Sequence, residues 1–174
     1  MKILITYATK YGAAEKCAHS IAEKLNGECD LVNLKKEQPR ALSSYDKIII
    51  GGSVYASNIQ KEVKDFCEQN TALLLSKPLG LFLSCMGLNQ QELTSNFKFS
   101  FSDELMEHAT VADALGGVFD YNKMGFLEKQ VIKIVGRRLK KQGRADIVLD
   151  GKTNFSSISP ERIEVFAEYM NKAL

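Results

Sequence analysis

The sequence lacks any apolar run long enough to cross a membrane or to form the core of a secretory signal. The first apolar segment covers only residues 3–8, because Lys10 follows soon after it. A helix that spans a membrane needs about twenty apolar residues. The four cysteines are scattered and form no Cys-x-x-Cys pair, a pattern typical of reduced and mostly buried thiols. We therefore expect a cytoplasmic protein.

Histidine and an excess of one charge are also lacking. Only His19 and His108 are present, far apart in the sequence, so no metal site is predicted and both are expected to be structural. The 23 lysines and arginines nearly balance the 21 acidic residues. Aromatic residues are not interleaved with the basic ones, so a nucleic-acid partner is not expected. What remains is a chain with 45% hydrophobic residues, enough for a globular core.

Short apolar segments alternate with amphipathic ones along the chain. Strand patterns cover residues 2–7, 29–34, 47–50, 78–84 and 111–119, and helical patterns cover residues 13–25, 59–75, 102–108, 124–141 and 160–172. The strongest strands are apolar throughout, which is typical of a parallel sheet covered by helices on both faces. The sequence predicts a doubly wound α/β fold with five parallel strands. We expect residues 1–174 to form a single domain, with a basic helical insert at about residues 120–155 before the last helix.

The loop of residues 8–14 lies between the first predicted strand and the first predicted helix. Gly12 permits a tight turn, the helix start offers unpaired N–H groups at the positive end of its dipole, and Thr9 adds a hydroxyl. This combination suits a phosphate. The chain has neither a Gly-x-x-x-x-Gly-Lys-Ser/Thr nor a Gly-x-Gly-x-x-Gly motif, so ATP, GTP or a dinucleotide is not predicted. By itself, the loop is equally compatible with an ordinary strand-to-helix turn.

Three loops resemble the flavin loops of the flavodoxins. Residues 7–12, Tyr-Ala-Thr-Lys-Tyr-Gly, resemble the loop that binds the FMN phosphate; residues 48–55 resemble the second flavin loop, and residues 83–87 lie where the third should be. The order and character of the segments are similar to the menaquinone-dependent protoporphyrinogen oxidase branch. The resemblance implies a flavodoxin-like sheet with strand order 2-1-3-4-5 and FMN as the cofactor. It also implies these cofactor-binding residues: Thr9, Lys10, Tyr11, Gly12, Ala13, Ala14, Ser53, Val54, Tyr55, Ala56, Ser84, Cys85, Met86 and Gly87.

The second and third loops are expected to hold the isoalloxazine ring. Tyr55 or Val54 would lie against one face of the ring, although Tyr55 could instead be a surface aromatic at a helix entrance. Cys85 is expected to be a wall residue rather than a nucleophile, because no histidine is paired with it in the sequence.

The phosphate loop departs from the flavodoxin pattern, which has hydroxyls at the positions of Tyr11 and Ala14. Tyrosine keeps its hydroxyl only on a longer arm, and alanine has none. Losing one hydroxyl should cost about 1 kcal/mol or somewhat more, which would weaken FMN binding about tenfold. Backbone donors and Lys10 are expected to compensate, unless Lys10 points into water.

Residues 124–144 carry the basic helical pattern. The apolar residues of one stripe are Leu127, Val131, Ile134 and Val135, and the basic residues expected to form a substrate or membrane surface are Lys129, Lys133, Arg137 and Lys140. Two interpretations stay open. The helix packs on the core and leaves a solvated basic face, or the basic face meets anionic lipids or substrate carboxylates. The second interpretation would place the protein at the inner face of a membrane.

Three functions are compatible with these features. The resemblance favours an FMN oxidoreductase of haem biosynthesis that passes electrons from a porphyrinogen through FMN to a quinone, and no catalytic side chain is expected because the flavin supplies the chemistry. An electron carrier between redox proteins is the first alternative; such carriers are typically acidic, whereas this chain has a net charge of +2. The second alternative is a non-enzymatic domain with weakened flavin binding.

Overall fold

The computed structural model describes residues 1–55, 58–85, 90–141, 149–150 and 153–173. The strands are β1 Lys2–Ala8, β2 Glu28–Asn33, β3 Lys47–Tyr55, β4 Asn58–Ile59, β5 Leu79–Ser84, β6 Val111–Ala114, β7 Val118–Phe119 and β8 Phe155–Ser156. The helices are α1 Ala13–Ala22, α2 Lys61–Leu74, α3 Gln90–Ser100, α4 Asp103–His108, α5 Phe126–Lys141 and α6 Pro160–Lys172.

The central sheet is parallel and has the order β2-β1-β3-β5-β6. Its five main strands, numbered along the chain, therefore follow the order 2-1-3-4-5, and the predicted doubly wound α/β fold is confirmed. Ile3 is paired with Cys29 on one side and with Lys47 on the other, which fixes the register of β1 between its neighbours. Every residue of β5 is buried, as expected for a strand covered on both faces.

Helices cover both faces of this sheet. On one face, Ile21 of α1 and Phe166 of α6 belong to one buried core together with Ile3 and Ile5 of β1. The ring of Phe166 meets that of Phe82 edge to face, with centroids 6.4 Å apart. On the other face, a second core forms between the sheet and helices α2, α3 and α4, and its buried members include Leu4, Phe66 and Leu105. The alternation of Ile3 and Leu4 between the two cores follows from the period of a β-strand.

Strand β3 is longer than predicted. From the sequence, this strand was predicted to end at Ile50, with Ser53 and Val54 in a loop. In the structure, β3 continues to Tyr55. The parallel pairing with β1 and β5 extends through the two glycines and ends at the pair Ser53–Ser84. Beyond it, Val54 pairs with Ile59 of the short strand β4, a residue that was predicted to begin the following helix. Strand pairing, which a single segment does not reveal, decides these boundaries.

The predicted last strand, residues 111–119, is in fact two strands. Strand β6 ends the parallel sheet, the chain turns at Gly116, and β7 pairs with β8 in a separate antiparallel sheet. Helix α3 was also missed, because the polar residues around position 90 concealed a helical spacing. Its signal was Leu93 and Phe97, which are four residues apart and pack against the core of α2 and α4.

Helix α5 packs on the rest of the molecule through an unexpected face. Ile132 is buried in a small cluster with Tyr121, Met124 and Leu149. Gly136 lies so close to Leu149 that a Cβ built on the glycine would be 2.7 Å from the Leu149 Cβ, so a larger residue would push the helix away. Leu127, Val131 and Ile134 of the predicted apolar stripe do not form this packing face, since all three side chains are exposed, and the side chain of Val135 lies outside the described part. The choice between a solvated basic face and a contact surface stays open. Among the described helices, none is both long and apolar enough to cross a membrane.

Candidate functional site

A cleft lies at the carboxyl edge of the parallel sheet, where β1, β3 and β5 end. It brings together seven predicted residues from all three predicted loops: Lys10, Tyr11, Ala13, Ser53, Val54, Ser84 and Cys85. The second and third loops meet here because Ser53 and Ser84 are paired at the ends of neighbouring strands. In doubly wound sheets this edge is where ligands bind.

The N-terminus of α1 forms one end of the cleft. Gly12 is its N-cap and has a φ of 89°, in the left-handed region that favours glycine. No side chain among the described residues caps this helix. The first turn of a helix leaves its N–H groups without partners inside the helix, and they add to the positive end of the dipole. The start of α1 is therefore suited to a phosphate, and its use as the phosphate site stays a prediction.

Thr9 fixes the shape of this loop. Its Oγ1 accepts a hydrogen bond from the N–H of Gly12 at 2.9 Å, and it lies 3.1 Å from the Oγ of Ser53. The threonine hydroxyl therefore ties the first loop to the end of β3. Ala14, at the position where flavodoxins carry a further hydroxyl, is fully buried in the core between α1 and the sheet.

Lys10 connects the loop to α5. Its Nζ forms an ion pair with Oε1 of Glu128 at 2.5 Å and lies 5.2 Å from the centroid of the Tyr11 ring. Glu128 also accepts the N–H of Gly125 at 2.9 Å, just before the helix begins. Lys10 was expected either to support the phosphate or to point into water, and the structure instead gives it a carboxylate partner.

The Lys10–Glu128 pair changes the titration of both groups. Lys10, followed by Tyr11 and the N–H of Gly125, lowers the pKa of Glu128 to about 2, and Glu128 raises the pKa of Lys10. A carboxylate with a lowered folded pKa stabilises the fold above its unfolded pKa, which is near 4.5. This contribution is therefore present at neutral pH and is lost only as the pH falls from about 4.5 toward 2.

The floor of the cleft contains a poorly satisfied hydroxyl and a neutral thiol. The Oγ of Ser84 is buried and has no hydrogen-bond partner among the described residues other than the weakly bonding thiol of Cys17. A buried polar atom of this kind lowers the stability of the fold unless a ligand or a water molecule forms a hydrogen bond with it. Burial raises the pKa of Cys85 to about 11, which keeps it protonated at neutral pH. This thiol is therefore a poor nucleophile, and its role as a wall residue stays a prediction.

Part of the predicted site lies outside the described residues. This applies to Ala56, Met86 and Gly87, and to the side chain of Tyr55. The contact of Tyr55 with a ring face stays a prediction. Val54, the other candidate for that contact, does line the cleft.

Three residues on the side of the cleft nearest α5 were not predicted from the sequence. The cleft is lined there by Gly117, Val118 and Met124. Met124 follows a short 3-10 turn, Tyr121–Lys123, which is held by the hydrogen bond from the Tyr121 N–H to Asn154 at 2.9 Å. The one available signal was Glu128, an acidic residue at the start of a basic helix, where it suits the helix dipole.

The four basic residues predicted to form a surface lie on α5 and are not among the residues that line the cleft. Arg137 and Lys140 are exposed, whereas Lys129 and Lys133 are half-buried. Any contact that they make with a substrate would occur outside the cleft, along the helix that starts at its mouth.

Comparisons with known proteins agree with this architecture. The family model described as the flavodoxin domain matches residues 4–146. The protoporphyrinogen IX dehydrogenase (quinone) of Leishmania major is 23% identical over 145 residues, which cover 77% of this chain and 62% of that protein. The matched region thus spans less than two thirds of the length of that relative.

Two solved structures are similar to the chain over almost its whole length. A short-chain flavodoxin associated with a PDU bacterial microcompartment superposes with a TM-score of 0.62 and 16% identity, covering 99% of this chain and 97% of the other. The flavodoxin of Streptococcus pneumonia TIGR4 has a TM-score of 0.57 and 16% identity, covering 98% and 97% of the two chains. At this level of identity, the likeness concerns the fold.

Proposed function

Because the chain belongs to the flavodoxin domain family, we propose that it is an FMN-dependent oxidoreductase that takes electrons from a porphyrinogen and passes them to a quinone. FMN binding and electron transfer, the general part of this function, are supported by the family and the fold. The identities of the substrate and of the electron acceptor are the specific part. They are proposed from the features of the cleft and of α5 together with the similarity to the Leishmania major dehydrogenase.

The cleft residues fit FMN. The uncapped start of α1 offers N–H donors for the phosphate, with Gly12 as its turn. The hydroxyl of Ser84, whose one neighbouring partner among the described residues is the weak thiol of Cys17, offers a partner for a polar edge of the ring. Val54 and Met124 offer apolar walls. These are the residue types expected of a cofactor site that is mostly apolar and has a few convergent polar groups.

The protein's contribution to the chemistry would be binding, orientation and exclusion of water. Bound FMN supplies both one-electron and two-electron transfer. Cys85 remains neutral beside it, so it introduces no charge into the floor of the cleft. Lys10 remains positive through the physiological range, and Glu128 balances its charge. No acid–base pair is required of the protein in this proposal.

The feature that carries the proposal beyond simple electron transfer is α5, a basic helix that begins at the mouth of the cleft. Met124 lines the cleft just before the helix, and Glu128 in its first turn contacts the phosphate loop. The exposed cations Arg137 and Lys140 would suit the carboxylates of a porphyrinogen or the headgroups of a membrane that contains the quinone. The proposal places the protein in the cytoplasm, at the inner face of that membrane.

A specific observation also favours an electron carrier as a second candidate. The two flavodoxin structures match this chain over 97% of their own lengths, whereas the Leishmania major dehydrogenase is matched over 62%. A carrier would exchange electrons with a redox protein rather than with a quinone. The near-neutral charge of the chain is the feature that disfavours this candidate, because carriers of this kind steer to their partners by strong net charge.

The test of the proposed function is anaerobic spectroscopy of the purified protein after FMN has been added. We expect protoporphyrinogen to bleach the flavin absorbance and a menaquinone analogue to restore it. Bleaching by a flavodoxin reductase but not by the porphyrinogen would contradict the enzyme and support the carrier. A protein that takes up no FMN at all would support the non-enzymatic alternative.

A matched pair of glutamate variants tests the role of Lys10. We expect Glu128→Gln to tighten FMN binding a few-fold at low salt, because it removes a negative charge beside the lysine of the phosphate loop. The control is Glu164→Gln, which removes the partner of Lys24 in a similar surface pair beyond the C-terminal end of α1. Affinity is measured by the quenching of FMN fluorescence. Equal shifts in the two variants, or weaker binding for Glu128→Gln, would remove Lys10 from the phosphate site.

A further inference from the structure

Helix α5 presents large apolar side chains to solvent. Phe126, Leu127, Val131 and Ile134 are 75%, 78%, 53% and 63% exposed. They are half of the eight large hydrophobic residues found exposed in the described part of the chain, and they fall within nine consecutive positions. Single exposed apolar residues are ordinary on a protein surface, but a cluster on one element indicates an interaction site.

Three of these residues form a continuous stripe. Leu127, Val131 and Ile134 are spaced by four and three positions, which places them on one side of a helix. The helix is already anchored through its opposite side, where Ile132 is buried and Gly136 touches Leu149. The stripe therefore remains uncovered when α5 is fully packed on the molecule.

Basic residues border the stripe on one side. With 100° per residue, Lys133, Arg137 and Lys140 lie along one flank of the helix, next to Ile134. The acidic residue at the start of α5, Glu128, is already paired with Lys10. The exposed surface of α5 thus combines an apolar stripe with a positively charged border.

An apolar stripe alone could bind several kinds of partner, but an apolar stripe with a basic border favours one of them. An in-plane amphipathic helix on an anionic bilayer has these properties, with apolar side chains among the acyl chains and cations at the headgroups. A second copy of this chain, packed stripe to stripe, would present the same basic border and so offers it no acidic partner. The charge of the border therefore favours anionic lipid.

We propose that α5 docks in the plane of an anionic lipid bilayer, with Leu127, Val131 and Ile134 inserted and Lys133, Arg137 and Lys140 on the headgroups. The purpose of this docking rests on the proposed function, because docking would bring the cleft to a membrane that contains the quinone. The docking itself is argued from the surface of α5 alone. Met124 and the Lys10–Glu128 contact place the start of α5 at the cleft mouth, so a docked helix holds that mouth next to the bilayer.

The first test is flotation of the FMN-loaded full chain with vesicles of phosphatidylcholine alone or of equal parts phosphatidylcholine and phosphatidylglycerol. We expect binding to the anionic vesicles and at least about tenfold weaker binding for the variant Leu127→Gln/Val131→Gln/Ile134→Gln. The matched control is Val165→Gln/Tyr169→Gln, which removes two exposed apolar residues of α6 and should bind like the parent chain. A retained flavin spectrum shows that each variant is folded.

The second test changes the charge alone. We expect Lys133→Gln/Arg137→Gln/Lys140→Gln to weaken binding to the anionic vesicles on the order of 100-fold at low salt, and added salt to weaken the parent in the same direction. Equal binding of the parent chain to both kinds of vesicle, or none to either, would overturn the proposal. The proposal would also be overturned if the parent chain bound no vesicles but formed a concentration-dependent dimer, or bound an acidic protein, and the stripe variant lost that association.

The outcomes separate this proposal from the proposed function. Vesicle binding without porphyrinogen turnover would support docking and contradict the enzyme. Turnover with a water-soluble quinone analogue, but without vesicle binding, would support the enzyme and contradict docking.

Discussion

Replacing Gly12 with valine should remove FMN from the protein, with an expected loss of affinity on the order of 100-fold or more. Gly12 has a φ of 89°, and a β-branched residue in this conformation is strained by about 1–3 kcal/mol. The loop would relieve the strain by changing shape. This would move the Gly12 N–H away from Thr9 and disturb the start of α1, where the phosphate is proposed to bind. The measurement is flavin absorbance after gel filtration, followed by titration with FMN.

The matched variant is Gly12→Asn, because asparagine tolerates left-handed backbone better than any β-branched residue. It should keep most of the affinity that Gly12→Val loses. Far-ultraviolet circular dichroism of both variants should equal that of the parent, which separates loss of cofactor from loss of fold. Retention of FMN by Gly12→Val with an unchanged dissociation constant would refute the assignment of this loop as the phosphate site.

Replacing Phe166 with alanine should lower the free energy of unfolding by about 4 kcal/mol. The side chain is completely buried, lies close to Gly80 of β5 and meets Phe82 of the same strand edge to face, so its removal leaves a cavity between α6 and the sheet. Such a loss is a large fraction of the stability of an ordinary domain. The measurement is urea-induced unfolding at one saturating FMN concentration, so that cofactor binding contributes equally to every variant.

The control for this prediction is the neighbouring residue of the same helix. Val165 is 50% exposed, and its replacement by alanine should change the free energy of unfolding by no more than about 0.5 kcal/mol. Similar losses in the two variants would show that α6 is not packed on the sheet in the way described.

The main sheet was predictable because its strands are recognisable one at a time. The apolar runs of β1 and β5 and the start of β3 each carry the signature of a strand buried on both faces, and right-handed crossovers leave few ways to join them. Helix α6 was predicted with its bounds, because Ser159 and Pro160 form an ordinary start signal and the Ser159 hydroxyl accepts the N–H of Arg162.

The boundaries that failed depend on partners distant in the sequence. Strand β3 continues to Tyr55 because β1 and β5 on either side and β4 at its end pair with it. Strand β7 exists because β8, more than thirty residues later, lies beside it. No property of a segment read alone distinguishes these pairings from a loop.

The candidate site was predicted unevenly for the same reason. The sequence predicted loops at the ends of three strands, and the structure places seven of their residues around one cleft. The contact of Lys10 with Glu128 joins residues 118 positions apart and has no local signal. The orientation of α5 was beyond prediction because its apolar stripe suggests burial, whereas the close contact of Gly136 with Leu149 turns that stripe outward.

The pairing of β7 with β8 has an evolutionary consequence. Phe119 lies opposite Phe155, so the two ends of the segment that carries α5 leave the fold side by side, at the spacing of adjacent strands. A short hairpin turn could join the same two strands without moving the sheet, and a longer excursion would add little closure entropy. This strand pair is a natural graft point, at which a lineage could acquire, exchange or discard a whole accessory helix while the parallel sheet and the phosphate loop stay in place, although the Met124 wall of the cleft would change with it.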